Sequence, residues 1–346
     1  MTNGSPPTRK GKAYARAGVD VDLGNLVKSK IQARVKSTHG PEVLGKIGGF
    51  GGLFAPNFSR MREPVLVASV DGVGTKLKLA FAMNRHDTVG ADLVNHCIND
   101  IAVLGARPLF FLDYIGAERL EPPVFDQILA GFTKACRAGG CALIGGETAQ
   151  MPGMYRKGEY DLVGCIVGVV DRATMLDGSR IKPGDVILGL ASSGLHTNGY
   201  SLARKILFQK MRLKLDAQLP GLKRSLGNEL LLTHKNYQPL FAKIPLKRLR
   251  GLAHITGGGL IDNLPRILPK HCDAVIDASS WQVPTIFQIL AENGKVPREE
   301  MYQVFNMGIG MVAIVAKKDA QQVARSLRAT PIGQIEPGSG KTRLQF

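Results

Sequence analysis

The run Pro64-Val65-Leu66-Val67-Ala68-Ser69-Val70 is apolar, rich in valine, and stops on Asp71-Gly72-Val73-Gly74-Thr75-Lys76. An apolar stretch that short, closed by turn residues, predicts a buried strand. It delivers an acid, two glycines and a lysine to one place. A similar pattern follows at Cys141 to Ile144, which runs into Gly145-Gly146-Glu147-Thr148. Pro108 to Ile115 and Tyr160 to Val170 read as further strands, and residues 88–104 and 122–138 as helices. Asn25 to Val35 also has helical apolar spacing. Strands and helices mix without strict alternation, which predicts an α+β fold rather than a doubly wound parallel sheet.

Turn clusters at Asp177-Gly178-Ser179 and Lys182-Pro183-Gly184-Asp185 place a domain boundary near residue 175. The expected organisation is a flexible tail over 1–13, a first domain over 14–175 and a second over 176–346. The second half has two similar passages. Val186 to Ala191 reads as a strand, followed by Ser192-Ser193-Gly194-Leu195-His196-Thr197-Asn198-Gly199 and a helix from Tyr200. Leu252 to Ile255 reads as a strand, followed by Thr256-Gly257-Gly258-Gly259 and a helix ending near Pro269. A late strand is expected from Ile309 to Ala316.

Composition excludes several classes. The strongest apolar run, Leu162 to Val170, has nine residues, against about 20 for a membrane span. The N-terminus has charge but no apolar h-region of a secretory signal. Five cysteines without a CxxC argue against a disulfide framework or a zinc ribbon and fit a reducing cytoplasm. The formal charge of +17 raises nucleic acid as a ligand, with twelve Lys+Arg in residues 201–250 against Asp216 and Glu229. No nucleic-acid signature accompanies it and aromatics are only 6%, so stacking platforms are scarce. An anionic small-molecule substrate is the reading preferred, with neither nucleic acid nor membrane as a partner. Two apparent motifs fail on context. Gly338-Ser339-Gly340-Lys341-Thr342 lacks the first P-loop glycine, since position 335 is Ile335. Gly308 to Ala313 matches GxGxxA but lies within an apparent strand.

Four constellations can carry chemistry. Asp71 can hold Mg²⁺, a hard cation that takes oxygen ligands, while Gly72 and Gly74 can turn N–H groups toward phosphate and Lys76 adds a charge. A β-turn with an incidental lysine gives the same pattern. Asp92, His96 and Asp100 share one face of the expected helix, with Asn99 beside them. A solvated face gives that spacing too, but surface helices usually carry the Lys and Glu that this one lacks. Glu147 and Thr148 present a second acid after a strand, or simply a turn. The loops at Ser193–Asn198 and Thr256–Gly258 set Ser, Thr and Gly ahead of helices, where free N–H groups favour anions. The same residues are good caps, and His196 is either a substrate contact or an ordinary loop histidine.

The runs EPVLVASVDGVGTKLKLA, DLVNHCINDIAVLGARPLFFLDYIG, GCALIGGETAQMPGMY, SSGLHTNGYSLARKIL, AHITGGGLIDNLPRILP and FNMGIGMV strongly resemble the aminoimidazole ribonucleotide synthetases, also called phosphoribosylformylglycinamidine cyclo-ligases. The resemblance runs in order from about Tyr14 to Val315. It implies closure of an imidazole ring in de novo purine biosynthesis. ATP phosphorylates the formyl-amide oxygen of formylglycinamidine ribonucleotide, an amidine nitrogen attacks the activated carbon, and ADP and phosphate leave. It implies two α+β domains, the N-terminal sheets of a homodimer pairing into a barrel and the C-terminal mixed sheet flanked by helices.

By the same resemblance, Asp71, Asp100 and Glu147 are the acids for Mg²⁺ and ATP, with Asp92 as a partner of the metal. Gly72, Gly74, Thr75, Lys76 and Thr148 lie near phosphate. His196 transfers a proton or orients the amide, and Ser193, Asn198, Thr256, Gly257 and Gly258 hold the substrate with it. Related enzymes share this ATP-site architecture, among them thiamine-monophosphate kinase, a hydrogenase-maturation protein and selenophosphate synthetase. The last usually carries a reactive N-terminal cysteine, whereas no Cys precedes Cys97 here. The chain departs from the family's usual pattern at Asn95 and His96, where small or apolar residues are usual, and over Leu231 to Tyr237, where a threonine-proline-threonine pattern is common.

Overall fold

In the computed structural model, residues 32–119 and 121–346 are described. The expected tail over 1–13 and most of the expected helix over 25–35 lie outside them, and residues 32–36 are helical. The first half contributes β1 (Pro64–Gly72), α1 (Leu77–Met83), α2 (Asp87–Ala102), β2 (Arg107–Ala117), α3 (Pro122–Gly139), β3 (Ala142–Gln150) and β4 (Tyr160–Asp171). The strand order is β1-β4-β2-β3. β4 runs antiparallel to both β1 and β2, and β2 and β3 run parallel with α3 as their crossover. Pro122 opens α3, where a missing N–H costs nothing, and Gly140 closes it at φ 68°.

α2 and α3 cover one face of this sheet. They cross so closely that a Cβ on Gly90 would lie 2.2 Å from the Ile128 carbonyl, and one on Gly131 2.2 Å from the Asp87 carbonyl. Part of the glycine excess is therefore a packing requirement. Along β1 the inward residues Val67, Ser69 and Asp71 face α2, while Leu66 and Val70 on the other face are 63% and 64% exposed.

β3 runs six residues past the expected end at Ile144, because pairing with β2 continues from Tyr114↔Glu147 to Ala117↔Gln150. Its glycines keep the strand close: a Cβ on Gly146 would lie 2.4 Å from Asp113 Oδ1.

The second half contributes β5 (Val186–Ala191), α4 (Tyr200–Arg204), α5 (Leu226–Leu230), α6 (Gln238–Phe241), β6 (Leu249–His254), α7 (Gly259–Asn263), β7 (Cys272–Asp277), α8 (Thr285–Gly294), α9 (Arg298–Val304), β8 (Ile309–Val315), α10 (Ala320–Leu327), β9 (Thr330–Pro337) and β10 (Thr342–Gln345). The sheet order is β10-β7-β9-β5-β8-β6, with only β10 and β7 parallel. β8 is buried at every residue, so Gly310 sits inside a central strand and the GxGxxA pattern is packing. The helix expected to run to Pro269 breaks into α7 and a 3₁₀ turn over Leu264–Ile267, since Pro265 cannot donate to an α-helical ladder. The loop resembling a P-loop closes on a carboxylate: Ser339 and Lys341 N–H groups donate to Asp273 Oδ1 at 2.7 and 2.9 Å.

Candidate active site

The polar face of α2 is not solvated. It is the seam on which the second half docks. Asp92 Oδ1 accepts the His234 N–H at 2.6 Å, and Asn95 Nδ2 donates to the His234 carbonyl at 2.7 Å. Asn99 donates to the Lys235 carbonyl at 2.8 Å and accepts the Tyr237 N–H at 2.9 Å. The departing segment Leu231 to Tyr237 is thus held by its backbone on three residues of α2. Lys76 completes the seam. Its Nζ, fully buried, lies 2.7 Å from Asp92 Oδ2 and donates to the His196 and Leu232 carbonyls at 3.1 and 2.7 Å.

One turn further, side chains from both halves converge. His96 Nε2 lies 2.8 Å from Asp71 Oδ2 and 3.7 Å from Asp100 Oδ2. His254, at the end of β6, places Nδ1 2.8 Å from Asp100 Oδ1 and Nε2 2.9 Å from His234 Nε2. Thr197 Oγ1 lies 2.8 Å from His96 Nδ1 and 3.3 Å from His234 Nδ1. His196 stacks on His234 with ring centroids 4.0 Å apart. Four of the chain's seven histidines therefore form one buried cluster against two carboxylates.

The charges follow from this packing. Burial opposes ionisation of Asp71, but the His96 hydrogen bond and charge hold its carboxyl below the usual range. Asp100 is likewise held down, against burial, by His254 and His96. Burial opposes the cationic form of His96 as well, yet Asp71 and Asp100 together raise its pKa. His196 and His234 go the other way: burial first, then neighbouring cations, drives both well below the ordinary histidine value. Both are neutral imidazoles at neutral pH.

Of the expected site residues, the structure brings Asp71, Asp100, His196 and Asp92 into one region. Asp92 and Lys76, expected beside metal and phosphate, spend their charges on one another and on backbone groups, and both are fully buried. His196 is also withdrawn. Its ring is 1% exposed, its φ is +60°, and Nε2 accepts the Ser193 N–H at 3.1 Å. It organises the Ser193–Asn198 loop from within. Thr75 meets the start of α4 through a 3.0 Å hydrogen bond with Ser201, while a Cβ on Gly74, at φ 68°, would meet nothing within 4 Å. The backbone there is open to a ligand.

Asn198 and Gly257 adjoin, since a Cβ on Gly257 would lie 3.4 Å from Asn198 Oδ1. Thr256 and Gly258 flank Gly257, and Asn263 Nδ2 donates to the Gly257 carbonyl at 3.1 Å, so the two second-half loops form one wall. Glu147 and Thr148 stand apart. Glu147 is in register with Tyr114, Val163 and Gly72, three strand steps from β1, which is about 14 Å at ordinary strand spacing. Its neighbour Gly146 shares the register of Asp71, so Glu147 faces away from α2. Sequence patterns missed His234 and His254. The available signal was a histidine at the end of an apolar strand, as Asp71 is an acid at the end of β1.

Two family models match the chain, the AIR synthase related protein N-terminal domain over residues 59–170 and its C-terminal domain over residues 182–344. The chain belongs to this family of AIR synthase related proteins. Its curated relatives narrow the class to the phosphoribosylformylglycinamidine cyclo-ligases, the ring-closing enzymes of purine biosynthesis. The protein of that name from Trichlorobacter lovleyi is 52% identical, over 93% of this chain and 94% of its own. The one from Geobacter sulfurreducens is 50% identical, over 97% and 99%. Among solved structures, the thiamine-monophosphate kinase of Stenotrophomonas maltophilia matches at a TM-score of 0.67 and 21% identity, over 92% of this chain and 95% of that one. The hydrogenase maturation protein HypE in complex with ATP matches at 0.65 and 18%, over 97% and 92%. At such identities these two show the fold alone.

Proposed function

We propose that ring closure runs at the cleft where β1, α2 and the Ser193–Asn198 and Thr256–Gly258 loops meet. The observation that carries this is the convergence of Asp71 and Asp100, from two elements of the first half, on His96 of α2 and on His254 of the second half. Both carboxylates are held ionised and each is part-exposed, Asp71 by 41% and Asp100 by 25% of the side chain. That donor set fits a hard divalent cation such as Mg²⁺. With ATP bound, the cation would neutralise phosphate charge as the formyl-amide oxygen is phosphorylated. Oxygen phosphorylation turns a poor leaving group into a good one, so the remaining task is positioning.

The open backbone at Gly74, with Gly72 and Thr75 on either side, is where phosphate would lie, and ATP bound to the structurally similar HypE supports a nucleotide in this fold. Ser193, Asn198, Thr256, Gly257 and Gly258 wall the side on which the ribose phosphate would lie. His196 serves as a positioning residue for that wall, and Lys76 and Asp92 fix the wall to α2. Glu147, on the other face of the sheet, belongs to this centre only if a second copy covers that face, while Thr148 points to the α2 side at the far strand of the sheet. The exposed Leu66 and Val70 on the same sheet favour such a covering. A homodimer closing the two N-terminal sheets into a barrel would bury them.

The test is nucleotide affinity. Asp71→Asn and Asp100→Asn each remove one charge from the cation's seat, and each should weaken Mg·ATP binding about tenfold or more by calorimetry. Unchanged affinity in both would contradict the assignment.

A further inference from the structure

Side chains link Asp71 to Asp100 through His96, Thr197, His234 and His254, and neutral imidazoles alone carry one hydrogen too few for this path. The contacts are Asp71·His96 at 2.8 Å, His96·Thr197 at 2.8 Å, Thr197·His234 at 3.3 Å, His234·His254 at 2.9 Å and His254·Asp100 at 2.8 Å. Each needs one hydrogen between its heavy atoms. If all three imidazoles were neutral and both carboxylates ionised, each histidine and the threonine would supply one apiece. That is four hydrogens for five contacts. If His96 and His254 donate to their aspartates, Thr197 donates to His96 and His234 donates to Thr197. The Nε2 lone pairs of His234 and His254 then face each other at 2.9 Å inside the protein. One positive charge closes the cluster, either a second proton on His96, which Asp71 and Asp100 favour, or a metal ion between the rings and the carboxylates.

We infer that His96, Asp100 and His254 form a seat for a first-row transition-metal dication such as Zn²⁺, Co²⁺ or Mn²⁺, with Asp71 at its open side. The three ligand atoms lie within 4.8 Å of one another, and His96 and His254 are buried. Two imidazole nitrogens and a carboxylate suit such ions, whereas Mg²⁺ prefers oxygen throughout. A dication at His96 Nε2 and His254 Nδ1 moves their hydrogens to the far nitrogens. His96 Nδ1 and His234 Nδ1 then both donate to Thr197 Oγ1, and His254 Nε2 donates to His234 Nε2. The ring nitrogens of His96, His234 and His254 are then all satisfied without an added proton. Thr197 and His234 become the supports that fix ligand tautomers, as outer-shell partners do in known metal sites. The seat rests on the Mg·ATP reading for Asp100, which it shares, and adds the nitrogen ligands of His96 and His254, which that reading leaves unused.

The full-length protein, stripped with EDTA and free of nucleotide, is titrated with Co²⁺ and followed by visible absorption, and with Mn²⁺ followed by pulsed EPR. One equivalent of Co²⁺ with ligand-field bands, and nitrogen couplings to Mn²⁺ from two imidazoles, is the expected result. His96→Gln and His254→Gln should each raise the Co²⁺ dissociation constant about tenfold or more and remove one nitrogen coupling. Circular dichroism checks that both variants fold. Absence of stoichiometric Co²⁺ binding in the unaltered protein overturns the proposal, as does nitrogen coupling indifferent to both substitutions. So does a doubly protonated His96 in the Zn²⁺-treated protein by nitrogen NMR, since a proton then fills the missing place. Mg·ATP affinity of Asp71→Asn is read separately. Its failure to change sinks the nucleotide site, while loss of the nitrogen signature sinks only the seat.

Discussion

Asp113 shows how far one side chain can be taken from its ordinary chemistry. It sits in register with Gly164 and Gly146, on the buried side of the first sheet. Burial, with the charge of Glu147 added, pushes its pKa to about 7. A carboxyl with a raised folded-state pKa stabilises the fold in its protonated form. Its contribution is complete below the ordinary value of 3.8 and is lost as pH rises through about 7. At most ~4 kcal/mol is involved, by the linkage relation. Denaturant unfolding across that range should show stability falling with pH through this term, and Asp113→Asn should flatten the slope. An unchanged slope in the variant would contradict the assignment. Nothing in the sequence around Phe110-Phe111-Leu112-Asp113 announces this, because burial depends on strands that arrive from β3 and β4.

At the scale of elements, the seam between α2 and the Leu231–Tyr237 segment does the most to hold the site. The Lys76–Asp92 pair crosses it with no exposure at either side chain. Lys76→Met leaves the Asp92 charge buried without its partner, and Asp92→Asn does the converse. Each should cost about 3–5 kcal/mol, the usual penalty for breaking a buried pair. Calorimetric melting checks this, and a melting temperature equal to the parent's in either variant would contradict it. Elements with strong apolar periodicity were legible in the sequence: β1, α2, α3 and β4 fall within a few residues of their expected bounds. β9, with Pro331, Gly333 and Pro337, and β10, with four residues, carry too weak a pattern to be read. The face of Asp92, His96 and Asp100 was legible as a face. Its burial was not, since the residues that cover it lie more than a hundred positions later.

For the whole molecule, the open face of the first sheet sets the expectation. Leu66 and Val70 stand out from β1, 63% and 64% exposed, on the face that the proposed pairing of two N-terminal sheets would cover. Leu66→Glu together with Val70→Lys should shift the protein from dimer to monomer in sedimentation velocity, and a dimer that survives both changes would contradict the barrel.

The central claim concerns chemistry, and one assay reaches it directly. Purified protein is mixed with formylglycinamidine ribonucleotide and Mg·ATP, and ADP and aminoimidazole ribonucleotide are followed together. Equal amounts of the two, appearing only when protein and substrate are both present, is the predicted result. ADP without ring closure, or no turnover at all, would contradict it.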